Sequence, residues 1–270
     1  MILIGASLMR MQIGMQVQYR LAALSGLSIG AFWSLIEITV LTVFYTHAGG
    51  GAAVNGLGLA QAVSYVWLAQ VLFALNGLGL NGDILGAINS GDVGLALCRP
   101  MDLYTHWYFQ TAAGRLGSFC MRGIPLLFLA LVLPAPVRLG APASWQGAAM
   151  ALLALFSGFW LATAYALLVT ALRMNIGWGD GPMHMMILLG NVLSGSYLPL
   201  PLWPDALQTL LRWQPFAGYL DTPARLYLGV LGAGEGLWAI ALQWAWTVAF
   251  VAIGRWVMRR RLRTLVVQGG

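Results

Sequence analysis

Three ionisable residues, Glu37, Arg115 and Arg122, interrupt long apolar stretches of this sequence. A charge at the centre of a bilayer costs about 2.5–3.5 kcal/mol on insertion scales, so such groups face a protein interior and pair, or line a polar path. Arg115 and Arg122 are seven residues apart, which predicts that they share one helix face. Two chemistries follow. Glu37 pairs with one arginine and fixes the first apolar segment against the third, or all three line a translocation path. Arg115 can also extend its stem to the nearer interface.

Other patterns look like chemistry but lack the context for it. Gly77-Leu78-Gly79-Leu80-Asn81-Gly82 has dinucleotide-site spacing, with Asp102 twenty residues beyond. That site needs a strand before the glycines, whereas these close an apolar helix, where glycine acts as a cap. Gly26-Leu27-Ser28-Ile29-Gly30 matches a nucleophile elbow, yet it lies inside an apolar run. Its plainer reading is a small-residue face that lets helices approach. His47, His106 and His184 are isolated, Cys98 and Cys120 suggest no disulfide framework, and no metal-ligand spacing occurs.

The elements that must carry these residues follow from composition. Of 270 residues, 60% are hydrophobic and 8% charged, where a soluble domain carries about 25% charge. The chain contains 14 arginines and no lysine, so it cannot form a P-loop, whose lysine reaches the nucleotide phosphates. The net charge of +6 reflects arginines at segment ends and the C-terminus, which points to membrane topology rather than nucleic acid. The N-terminus lacks a charged region followed by a small-residue cleavage site, so it is read as mature protein.

Apolar runs predict an all-α integral membrane protein with about six spans in one transmembrane domain covering residues 1–270. Residues 1–20 read as an interfacial helix. Spans are expected over Leu21–Thr46, Gln61–Leu80, Tyr104–Leu133, Gln146–Leu172, Pro182–Leu200 and Glu235–Met258, with an outer helical segment over 201–234. One side then holds Arg10, Arg20, Arg99, Arg173, Arg255, Arg259, Arg260, Arg261 and Arg263, and the other Arg138, Arg212 and Arg225. The richer side is cytoplasmic and holds both termini. Trp145, Trp203, Trp213 and Trp238 fall near outer borders, and Trp107, Trp178 and Trp256 near inner ones.

Residues 81–102 are too polar for lipid, yet Ile84, Leu85, Ile88, Val93, Leu95 and Leu97 give them an apolar side. A cytoplasmic helix with such a side needs a partner: the lipid headgroups, or a cytosolic subunit that applies force to it.

Three motifs carry a resemblance: Tyr19-Arg20 after the amphipathic start, the Ile84–Pro100 stretch with its Ile-x-x-Gly and Leu-x-Arg-Pro pattern, and Ser194–Pro204 followed by Gln214-Pro215-Phe216. The sequence resembles the type-2 ABC exporter permeases, in particular the six-span, viologen-exporter-like subgroup. The resemblance implies a non-enzymatic permease in the bacterial inner membrane. It implies a second permease, identical or a sister, and a cytosolic ATPase dimer that binds ATP and Mg, with no cofactor in this chain. It implies ATPase coupling through Ile84, Leu85, Gly86, Ile88, Gly91, Leu95, Leu97, Arg99 and Pro100. Tyr197, Pro199, Pro201, Pro204, Pro215 and Phe216 would form an outer gate, and Gly26, Gly30 and Phe32 a subunit interface. The readings it competes with are an ion-coupled transporter or channel subunit without an ATPase, and a membrane scaffold.

Overall fold

The computed structural model describes residues 20–47, 53, 56–76, 79–94, 102–174 and 180–263, with the backbone alone for 20–24. The expected interfacial helix, and Leu95, Leu97, Arg99 and Pro100, lie outside the described residues. The all-helical expectation holds for the elements described. These are α1 (Arg20–His47), α2 (Leu59–Asn76), α3 (Gly82–Ser90), α4 (Leu103–Ser118), a π-helical segment (Phe119–Gly123), α5 (Ile124–Val132), α6 (Trp145–Arg173) and α7 (Asp180–Leu193). A 3-10 turn (Leu200–Leu202), α8 (Asp205–Trp213), a second 3-10 turn (Phe216–Tyr219), α9 (Asp221–Tyr227) and α10 (Ala233–Leu262) follow among the described residues.

Five helices among the described residues are long and apolar enough to cross a membrane: Ser25–His47, Leu59–Asn76, Leu103–Val132, Trp145–Arg173 and Ala233–Leu262. Of the span expected at Pro182–Leu200, the described residues form α7, which ends at Leu193. Its 14 described residues cover about 21 Å at 1.5 Å per residue, against a ~30 Å hydrocarbon core, and residues 175–179 before it lie outside the described ones. The helix stops because the chain turns at Gly195, whose φ of 85° is left-handed. The hydroxyls of Ser194 and Ser196 both donate to the Asn191 carbonyl, satisfying a group the helix end would leave open.

The interior is organised around α6. Its buried residues run from Ala151 to Ala171 and include Ala154, Ser157, Gly158, Ala162, Ala164 and Ala166. Such small side chains let α4, α9 and α10 pack closely against it. The outer faces of α1 and α10 are the opposite: Phe32, Val40, Val248 and Trp256 stand exposed and apolar, as a lipid-facing surface requires. The exposed Trp145, Trp213 and Trp238 suit an aromatic border, but Trp107 does not. It is buried among the ends of α3, α4, α6 and α10, because it lies on the inward face of α4.

The line Leu103–Val132 is continuous but not regular. Pro125, in the first turn of α5, has no N–H to give to the carbonyl four residues back. The chain accommodates this with the wider π turn, in which the Ile124 N–H donates to the Phe119 carbonyl.

Candidate functional site

Three regions concentrate the polar residues. The first is α3. The Asn81 side chain accepts from the backbone N–H groups of Asp83 (3.0 Å) and Ile84 (3.3 Å), and Gly91 ends the helix at φ 82°. Ile84 is fully buried with Leu103, Tyr104, Trp107, Leu167 and Val257; Ile88 is half-buried against the same helix ends, and Leu85 is half-buried against the neighbouring cluster of Leu72, Leu161 and Tyr219. The apolar side of α3 therefore rests on this chain's own helices, and neither headgroups nor another subunit is needed to cover it. What it leaves open is the opposite face, with Gly82, Asp83, Gly86, Asn89, Gly91 and Asp92 exposed. A Cβ on Gly82, Gly86 or Gly91 would meet nothing within 4 Å.

Polar latches hold this end together. Asp102 accepts from the Thr105 N–H (3.1 Å) and hydroxyl (2.9 Å). Arg255 of α10 donates to the Thr105 hydroxyl and lies over the Tyr104 ring. Arg173 bridges α6 to Asp180 at 3.0 Å and to Asn89 of α3 at 3.4 Å. Through Ile84 and the Arg173–Asn89 bond, α3 is thus seated on α4, α6 and α10.

The second region holds the intramembrane charges. Glu37 forms no ion pair with either arginine; Trp33 and Gln70 of α2 are the polar side chains beside its carboxyl. Arg115, 7% exposed, donates to the carbonyls of Leu75 (3.4 Å) and Ala162 (3.3 Å), so its charge lies at the C-terminal turn of α2. A cation there complements the helix dipole. The expected Glu37–arginine pair fails because α1 turns Glu37 toward α2, and α4 turns Arg115 toward the backbones of α2 and α6. Arg122, which follows the start of the π segment, is exposed and makes no hydrogen bond or ion pair with the described residues. Its stem passes over Gly26: a Cβ on Gly26 would lie 2.5 Å from the Arg122 Cδ, and one on Gly30 would lie 3.4 Å from Leu126. The small face of α1 thus receives side chains of its own chain, while Phe32 points outward. Arg115 and Arg122 both line a half-open cleft of about 620 Å³ between α1, α2, α4 and the start of α3, together with Gln70, Thr111 and Ser118.

The third region is the hairpin formed by the 3-10 turn Phe216–Tyr219 and α9. It runs along α2: Gln61 donates to the Leu228 carbonyl, Tyr65 to the Asp221 carboxylate (2.9 Å), and Asn76 to the Tyr219 carbonyl (2.9 Å). Arg225 completes the Asp221 pair at 3.5 Å. Burial pushes the Asp221 carboxyl above the usual carboxylate range, while Arg225 and Tyr65 oppose that rise. Gly158 of α6 faces the Gly218 carbonyl so closely that any Cβ would collide with it, and Gln243 of α10 donates to the same carbonyl. Of the residues expected at a gate, Pro199, Pro201 and Pro215 are buried, and Phe216 packs edge-on against Tyr165. Tyr197 and Pro204 are exposed. Sequence reasoning missed Tyr65, Asn76, Asp221 and Gln243. The one available signal was Asp221 and Arg225 four apart in an apolar context, the spacing of a helical ion pair.

A multi-helix bundle with an apolar exterior and five helices long enough to cross a bilayer marks a multi-pass membrane protein. Residues 31–269 match the family described as ABC-2 family transporter protein, so the chain belongs to the ABC-2 transporter family and is a permease component of an ABC transporter. Comparisons with curated proteins and with solved structures gave no match.

Proposed function

We propose that this chain is the permease subunit of an ATP-driven exporter of the six-span, viologen-exporter-like kind. A second permease, identical or a sister chain, completes the substrate path, and separate cytosolic ATPase subunits bind ATP and Mg. Family membership supports the partnership with an ATPase, and the absence of lysine from these 270 residues supports a P-loop outside them. The arginine distribution favours a bacterial inner-membrane orientation with both termini and α3 on the cytoplasmic side.

The observation that carries this reading is α3, rigidly capped, anchored by Ile84 and open on its Gly86–Asn89 face. ATPase closure would draw α3 toward its counterpart in the second permease. The Arg173 and Arg255 latches would transmit that motion to α4, α6 and α10, and the outer hairpin would act as the gate. The test is co-expression with the cognate ATPase and purification through a tag on this chain. Gly86→Trp, which adds bulk to the open face, is expected to abolish capture of the ATPase while leaving membrane insertion intact. Undiminished capture would move docking away from α3. Vanadate-insensitive transport would favour an ion-coupled mechanism instead.

A further inference from the structure

Arg122 is a cation inside a candidate span with no partner among the described residues, and it opens onto a cleft. It lies ten residues before Val132, too far for its stem to reach that end of the span. The stem is instead laid against Gly26, six residues or about 9 Å inside the start of α1. Gly26 is the second residue of the candidate span Ser25–His47, and the cleft it lines reaches Gly79–Asp83 beside α3. Arg115, on the same cleft, adds a second positive charge held fixed by backbone carbonyls, and Asp83 at the α3 edge is the cleft's one carboxylate among the described residues. The rim is apolar and open: Ile29 is 68% exposed and Phe73 40% exposed.

We propose that this cleft binds an acidic phospholipid from the surrounding bilayer. The phosphate accepts hydrogen bonds from the Arg122 guanidinium, with Ser118 and Gln70 as neutral donors, and an acyl chain lies along Ile29 and Phe73. A forked guanidinium suits a phosphate, and a net positive cleft selects an anionic headgroup over a zwitterionic one. An intramembrane charge that none of the described protein groups satisfies is suited to such a partner. The proposal concerns this chain alone and does not require the ATPase, so its failure leaves the coupling reading of α3 untouched.

The test is a native mass spectrometry titration of the purified chain in detergent with phosphatidylglycerol and, separately, phosphatidylcholine of identical acyl chains. The wild type is expected to retain phosphatidylglycerol preferentially. Arg122→Gln is expected to weaken that binding about tenfold, and Arg122→Lys to keep it within about threefold. Gly79 lines the cleft, and a Cβ there meets nothing within 4 Å, so Gly79→Phe fills the space with both arginines intact. It too is expected to cost about tenfold. Equal retention of the two lipids by the wild type overturns the proposal, as does undiminished phosphatidylglycerol binding by Arg122→Gln or by Gly79→Phe. If Arg122→Lys binds as weakly as Arg122→Gln, the charge-based account is overturned.

Discussion

The hairpin that ends in α9 and the short helix α3 solve the same packing problem differently. Both are short helical pieces that cannot cross a bilayer, and both bury residues among the long helices. The hairpin is fastened by polar groups: Asp221 reaches Tyr65 on one side and Arg225 on the other, and three α2 side chains hold it along its length. The helix α3 is seated by apolar groups, chiefly Ile84, and leaves a complete polar face open. The difference teaches that a closed polar network fixes an element in place, whereas an apolar seat with a free polar face presents it to something else.

Four substitutions break or sharpen this contrast. The largest loss is expected from Asp221→Ala, which leaves Tyr65 and Arg225 without their shared acceptor. About 4 kcal/mol of stability should be lost, read by unfolding in detergent. A loss well below that would mean the hairpin is not held by its polar network. Ile84→Ala should cost about 3 kcal/mol in the same assay, because it empties a fully enclosed site among α4, α6 and α10. Tyr65→Phe removes one hydroxyl from the Asp221 network and should cost about 1 kcal/mol, with the ring packing retained. Gly86→Trp is expected to shift stability by less than about 0.5 kcal/mol, since its Cβ would enter open space. Ranking Gly86→Trp with Ile84→Ala in the unfolding assay would show that the face is covered after all.

Much of the fold was legible from pattern alone. Apolar length located five long helices, the lysine-free composition removed the P-loop, and the apolar side of α3 was visible as an alternation of Ile and Leu with polar residues. The occupant of that apolar side was not legible, because amphipathicity says that a helix must bury one face but not against what. Glu37 and the arginines show the same limit. Sequence identified charges that need partners, yet Gln70, Leu75 and Ala162 came to lie beside them through the rotation of α1 and α4 about their axes. Trp107 was misassigned to an aromatic border for a related reason: the same residue suits a headgroup region or a packed helix end.

The sequence by itself determined that this chain lives in lipid, that it binds no nucleotide through a P-loop, and which residues are too polar to be left to hydrocarbon. Those properties are local, set by transfer free energies and by the residue types present. Only the tertiary structure decided that α7 ends at Leu193, that Asp221 is enclosed and that Arg122 faces a cleft. Each of these depends on which helix faces come together, a choice made by close packing over the whole bundle and invisible in any one segment.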